Sequence, residues 1–192
     1  ERGKLTVTRQ QIEEDFATIE KRAAPGIYPG AGPRLLYELE IDALRHHPDC
    51  TVLWAASSGS NFSVERSTFL QLGGCSEDIS NSEHRELALR LCFAGMRMGF
   101  VEGARSYHMT HRLGWRDPLQ TLDWEEAFYR RYPLPAVKLL SVFWSTIGER
   151  GHVPPEARIA SLPELERRAL DTDGIDHDAI RQAIGLPALV AI

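Results

Sequence analysis

A chain of 192 residues with 43% hydrophobic and 26% charged residues can bury one substantial core, which excludes disorder as the starting expectation. Its 22 Lys and Arg against 27 Asp and Glu give a formal charge of -5, and no Lys/Arg block that could grip a phosphate backbone is present, so nucleic acid is not an expected partner. Three widely spaced cysteines, Cys50, Cys75 and Cys92, fit neither a disulfide framework nor a Cys-x-x-Cys metal knuckle and suit a reducing cytoplasm.

The start Glu1-Arg2-Gly3-Lys4 has no apolar stretch behind it, so no secretory signal is expected, and the missing Met reads as a fragment or processed chain. Thr8 with Gln11 three residues on forms a capping-box pattern, and Ile12, Phe16 and Ile19 follow at helical spacing, which predicts a helix over 9–23. Pro25 to Pro33 alternates prolines and glycines and reads as a loop, or as a segment crossing over a substrate. Pro33 opens a second helix with Leu35, Leu36, Leu39 and Leu44 on its apolar side, closed by His46-His47-Pro48, where the histidines face the negative end of the dipole.

Thr51 to Ala56 reads as a buried strand and Ser57 to Ser60 as a small polar loop. A short helix over Glu65 to Leu72, a Gly73-Gly74 turn, and a helix over Glu83 to Ala94 capped by Ser82 follow, then a strand at Met98 to Val101 that Arg105 to His108 extends or follows. Asp117-Pro118 caps a helical region reaching Tyr132. Residues 136–147 form a helix apolar on nearly every face, which must be buried in a core, an interface or a membrane surface. It is far short of the ~20 residues a spanning helix needs. Gly148 to Pro155 is a linker-like break, and the tail holds amphipathic helices near 162–171 and 176–185. The late pairs Asp171-x-Asp173 and Asp176-x-Asp178 read as turn and cap residues. A boundary near Pro133 divides a region 1–132 from a C-terminal helical extension 133–192.

The segment from Asn61 to Arg112 carries one ordered pattern. It runs Asn61-x-Ser63-Val64-x-Arg66-x-x-Phe69, then Gly73-Gly74, then Glu83-His84-Arg85-Glu86-Leu87 opening a helix with Arg90-Leu91 and Gly95, then a strand and His108. This order resembles the acceptor-side, C-terminal half of an inverting family 2 nucleotide-sugar glycosyltransferase, as in chondroitin-polymerase-like and polypeptide N-acetylgalactosaminyltransferase-like enzymes. The resemblance covers Pro33 to Arg112. It implies an α/β fold, a partial GT-A-like half that is helix-rich with a short mixed sheet and a helical extension. It also implies transfer of a sugar from a nucleotide-diphospho-sugar to a sugar, peptide or small-molecule acceptor, assisted by Mn2+ or Mg2+.

On that resemblance Glu83 and His84 serve acceptor activation, Asn61 and Gly59 line the acceptor groove, and His108 contacts metal or diphosphate with His111 as companion. Trp115, in a loop past the His pair, is the tryptophan best placed to stack on a sugar. Two departures stand out. No Asp-x-Asp precedes Pro33, so the donor-binding half would come from a missing N-terminal part or a separate subunit. His84 also stands where the pattern usually has a second acid, although imidazole can accept a proton near neutral pH.

The structural alternatives are that Glu83 and Glu86 are exposed first-turn acids, that Arg66 fixes a helix start, and that Arg90 pairs with an acid one turn away. Two other functions compete. One is a non-catalytic relative docking through 136–147, where peripheral membrane contact is also an expectation. The other is a metal hydrolase using Glu83, His84, His108 and His111. No Gly-x-Ser-x-Gly elbow, P-loop or Gly-x-Gly-x-x-Gly turn is present.

Overall fold

The computed structural model describes residues 7–23, 35–107, 123–147, 153–171 and 173–190. Along the chain these residues form α1 (Arg9–Glu14), α2 (Phe16–Arg22), α3 (Leu35–His46), α4 (Arg66–Gln71), α5 (Glu83–Phe93), α6 (Asp123–Arg131), α7 (Pro135–Ile147), α8 (Leu162–Leu170) and α9 (His177–Ala183), with 3-10 turns at Leu53–Ala56 and Pro155–Ala157. Among the described residues there is no β-strand. The expected α/β fold with a short mixed sheet is therefore corrected to a helical one.

Local chemistry explains where the strands went. Val52 to Ala56 is an apolar run too short for its periodicity to separate strand from helix. A strand needs a neighbouring backbone to pair with, whereas α3 and α5 pack against this run and cover it with side chains. Its amides instead close on carbonyls three residues back, Ala55 N to Val52 O at 3.0 Å and Ser57 N to Trp54 O at 3.2 Å. The predicted strand at Met98 to Val101 likewise has no ladder. Arg45 holds this segment from α3, its guanidinium 4.7 Å from the Phe100 ring centre and 2.8 Å from Glu102 Oε1. Ala104 N turns back to Val101 O at 3.0 Å.

Two helix starts, those of α1 and α9, follow their sequence signals. Thr8 and Gln11 form the full capping box. The helix expected over 9–23 is broken into α1 and α2 at Asp15, whose carboxylate takes the Thr18 hydroxyl at 2.5 Å. Asp176 accepts from Asp178 N and Ala179 N, both at 3.0 Å, and caps α9 as its position predicts.

The core is centred on α7, which packs on α8, α9, α6 and α3. Leu139, Leu140, Val142 and Phe143 are fully buried, a transfer term on the order of 10 kcal/mol before entropy is counted. The apolar residues of this helix, from Ala136 to Phe143, are used inside the fold. No helix among the described residues is long and apolar enough to cross a membrane. Trp54, packed edge-on against Phe128 at 5.8 Å, joins the 3-10 turn to α6, and core residues come from both sides of Pro133.

Two polar ties join segments distant in sequence, one buried and one at the surface. The fully buried Arg181 of α9 pairs with Glu125 of α6 and donates to Lys138 O and Pro187 O, both at 2.7 Å. Glu166 of α8 accepts from both the amide and the hydroxyl of Thr51, at 2.7 and 2.6 Å, which pins the start of the 3-10 turn.

Candidate functional site

The candidate site forms where α5 begins beside the loop that leaves the 3-10 turn. Ile79, fully buried, anchors the chain before α5, and Asn81 takes a left-handed conformation (φ 67°) that turns it into the helix. Ser82 occupies the N-cap position and its carbonyl accepts from Arg85 N and Glu86 N at 3.0 and 2.9 Å, but its side chain makes no capping bond.

The two first-turn acids part company. Glu86 points inward and is fully buried, so it is not the exposed acid that its position allows. Arg90 meets it with two N–H groups, Nε to Oε1 at 2.8 Å and Nη2 to Oε2 at 2.7 Å, and the Tyr132 hydroxyl donates to Oε1 at 2.8 Å. Arg90 also donates to Leu72 O at 2.5 Å and Gly74 O at 2.6 Å, which ties the Gly73-Gly74 turn to α5. Both glycines have positive φ (80° and 73°), which a Cβ would strain. Burial first, then the hydrogen bond and charge of Glu86, push the Tyr132 phenol up to about 12. Arg90 thus pairs with an acid one turn away, as its spacing suggests.

Glu83 points the other way. Its side chain is 41% exposed, while its Oε2 is buried and has no hydrogen-bond partner among the described residues. Oε1 lies 3.9 Å from His84 Nδ1. The carboxylate stands at the N-terminal end of α5. His84 lies between Gly59 and Arg85. A Cβ added to Gly59 would stand 3.0 Å from His84 Nδ1, so the ring approaches the backbone closely here because residue 59 has no side chain. On the other side the Arg85 guanidinium is 2.7 Å from His84 Nε2. Burial first, and then the Arg85 charge, push the imidazole down to about 4, so His84 is neutral at pH 7.

Of the residues singled out from the sequence, Gly59, Glu83 and His84 come together. Asn61 is exposed two residues along the same loop, and its amide nitrogen donates to Ala104 O at 2.9 Å, joining the loop to the 98–107 segment. His108, His111 and Trp115 lie outside the described residues. Among the described residues no three His, Cys, Asp or Glu side chains converge on a point that could hold a metal ion. The three cysteines are free thiols.

Arg85, Glu40, Trp144 and Ser57, to which the sequence gives no role in a site, surround His84 and the turn behind it. Arg85 donates to Ala55 O at 3.0 Å and to the buried Glu40 at 3.3 Å, and it lies 4.5 Å over the Trp144 ring. Ser57 is buried, with its hydroxyl unpartnered among the described residues, at the end of the turn that packs on α5. The one local signal for Arg85 was an Arg directly after His84, which by itself points to nothing.

This chain matches no family model, no curated protein and no solved structure.

Proposed function

We propose that this chain carries the acceptor-activating part of a nucleotide-diphospho-sugar glycosyltransferase, with Glu83 as the group that takes the acceptor proton. The observation that supports it is the carboxylate itself. Glu83 sits at a helix N-terminus, has one oxygen turned into a buried position without a partner among the described residues, and adjoins His84, whose ring meets Gly59 of the small polar loop Ser57 to Ser60. The order of motifs around it supplies the reaction class.

In that reaction the acceptor hydroxyl oxygen bonds to the anomeric carbon as the bond from that carbon to the donor phosphate breaks. The hydroxyl proton passes to the Glu83 carboxylate, and the nucleoside diphosphate leaves with the bonding electrons. Inversion follows from attack opposite the leaving group. The donor would be held by a further segment or a partner subunit. A manganese or magnesium ion would arrive with the donor diphosphate and draw on His108 and His111; no described residue is given to it.

The test is sugar transfer from a panel of nucleotide-diphospho-sugars to mixed sugar and peptide acceptors, with and without manganese, read as nucleoside diphosphate release. Glu83→Gln is expected to lower the rate about 100-fold or more, the range for losing a general base. Transfer at the wild-type rate in Glu83→Gln refutes the assignment. No transfer together with no calorimetric binding of any donor or acceptor refutes the glycosyltransferase reading for this chain.

A further inference from the structure

The contact between Arg85 and His84 determines where the imidazole proton sits. A guanidinium carries only N–H groups and is always charged, so across 2.7 Å Arg85 Nη1 donates and His84 Nε2 accepts. An accepting Nε2 has a free lone pair, and a neutral ring must then hold its proton on Nδ1. Arg85 does not simply follow the ring, because its other nitrogens are held by Ala55 O and Glu40 and its plane rests on Trp144. It is a fixed donor to which the imidazole adapts.

Nδ1 faces the other side, toward Gly59 and Glu83. Its 3.9 Å distance to Glu83 Oε1 is too long for a direct hydrogen bond. A hydroxyl oxygen at about 2.8 Å from each atom would stand at the corner of a roughly right-angled triangle. From that corner its own hydrogen points to Glu83, and a lone pair receives the hydrogen on Nδ1. The only lone pair His84 could use as a base is on Nε2, which Arg85 occupies.

We infer that Arg85 is a positioning residue that holds His84 as the Nδ1–H tautomer, so that His84 donates a hydrogen bond to the acceptor hydroxyl whose proton Glu83 removes. The role of the hydroxyl rests on the glycosyltransferase reading, but the tautomer does not. The low proton affinity of His84 agrees with this arrangement, since the neutral ring is the form that Arg85 can tolerate.

The experiment is long-range proton–nitrogen correlation NMR of the full chain labelled with 15N-histidine at pH 7, with His84 assigned by its loss in His84→Gln. The expected spectrum shows His84 protonated on Nδ1 and bare on Nε2. Arg85→Met, which removes the donor, is expected to shift His84 toward the Nε2–H form that an unconstrained histidine side chain prefers. His84 found protonated on Nε2 in the wild-type chain overturns the inference, whether or not the variant folds. So does a folded Arg85→Met chain with Nδ1–H unchanged. An Nδ1–H tautomer in a chain that transfers no sugar would count against the function of Glu83 and not against Arg85.

Discussion

Replacing Arg90 with Met tests how the start of α5 is held in place. Arg90 supplies two N–H groups to Glu86 and one each to Leu72 O and Gly74 O. Met retains much of the stem packing and removes every one of these donors. Glu86, fully buried, would keep the Tyr132 hydroxyl at 2.8 Å and a distant Arg131 at 3.8 Å, which is not enough to balance a charge out of water. Removing one partner of a buried ion pair costs about 3–5 kcal/mol. The Arg90 side chain is itself 19% exposed, so the low end, about 3 kcal/mol, is expected.

For a chain of this size each kcal/mol moves Tm by about 2–4 °C, which predicts a fall of roughly 6–12 °C. Urea unfolding followed by circular dichroism should show a lower midpoint with an unchanged slope. Adding Glu86→Leu to Arg90→Met should recover part of the loss, because the stranded charge is then gone. A loss below about 1 kcal/mol for Arg90→Met would mean that Glu86 reaches water, and the argument for its burial would fail.

Other outcomes follow from the same contacts. Tyr132→Phe removes a hydrogen bond to a charged group and should cost about 1.5–3 kcal/mol near neutral pH. Because the folded state raises the phenol from 10.0 to about 12, its contribution is complete below pH 10 and lost as pH rises toward 12, so base denaturation curves of wild type and Tyr132→Phe should converge there. His84 has the opposite sign. Its folded value near 4 lies below the ordinary 6.5, so the unfolded chain binds the extra proton, and stability present above pH 6.5 is lost as pH falls toward 4. Urea midpoints measured from pH 7 to 4.5 should fall less steeply in His84→Asn than in wild type, and equal slopes would refute the shift. Gly59→Ala places a methyl 3.0 Å from the imidazole and should cost about 1 kcal/mol or more while displacing His84, seen as a change in its ring resonances; an unchanged ring would show that the loop yields instead.

Several features were legible in the sequence because neighbours along the chain decide them. The Thr8 and Gln11 box, the Gly73-Gly74 turn, the Asp176 cap and the Glu86–Arg90 spacing each need only residues within four positions of one another. The helix over 136–147 was equally plain, since a segment apolar on nearly every side cannot face water. Glu83 and His84 are neighbours along the chain, and the contact of Gly59 with the His84 ring comes from the fold.

Only the tertiary structure decided the rest. Val52 to Ala56 is compatible with strand or turn, and flanking helices without a backbone edge to pair settled it as a turn. Glu83 and Glu86 share a first helical turn, and the i,i+4 spacing to Arg90 marks only Glu86. That Glu86 is enclosed while Glu83 stays 41% exposed was decided by packing, which brings the Tyr132 hydroxyl to Glu86 from 46 residues away. His84 likewise has a titration range that sequence places near neutrality, and burial with Arg85 moves it well below. Local pattern specifies where a helix starts and stops, because hydrogen bonds and sterics act over a few residues. Whether a charge is buried and which nitrogen keeps a proton depend on water exclusion and on partners distant in sequence, which only the packed chain supplies.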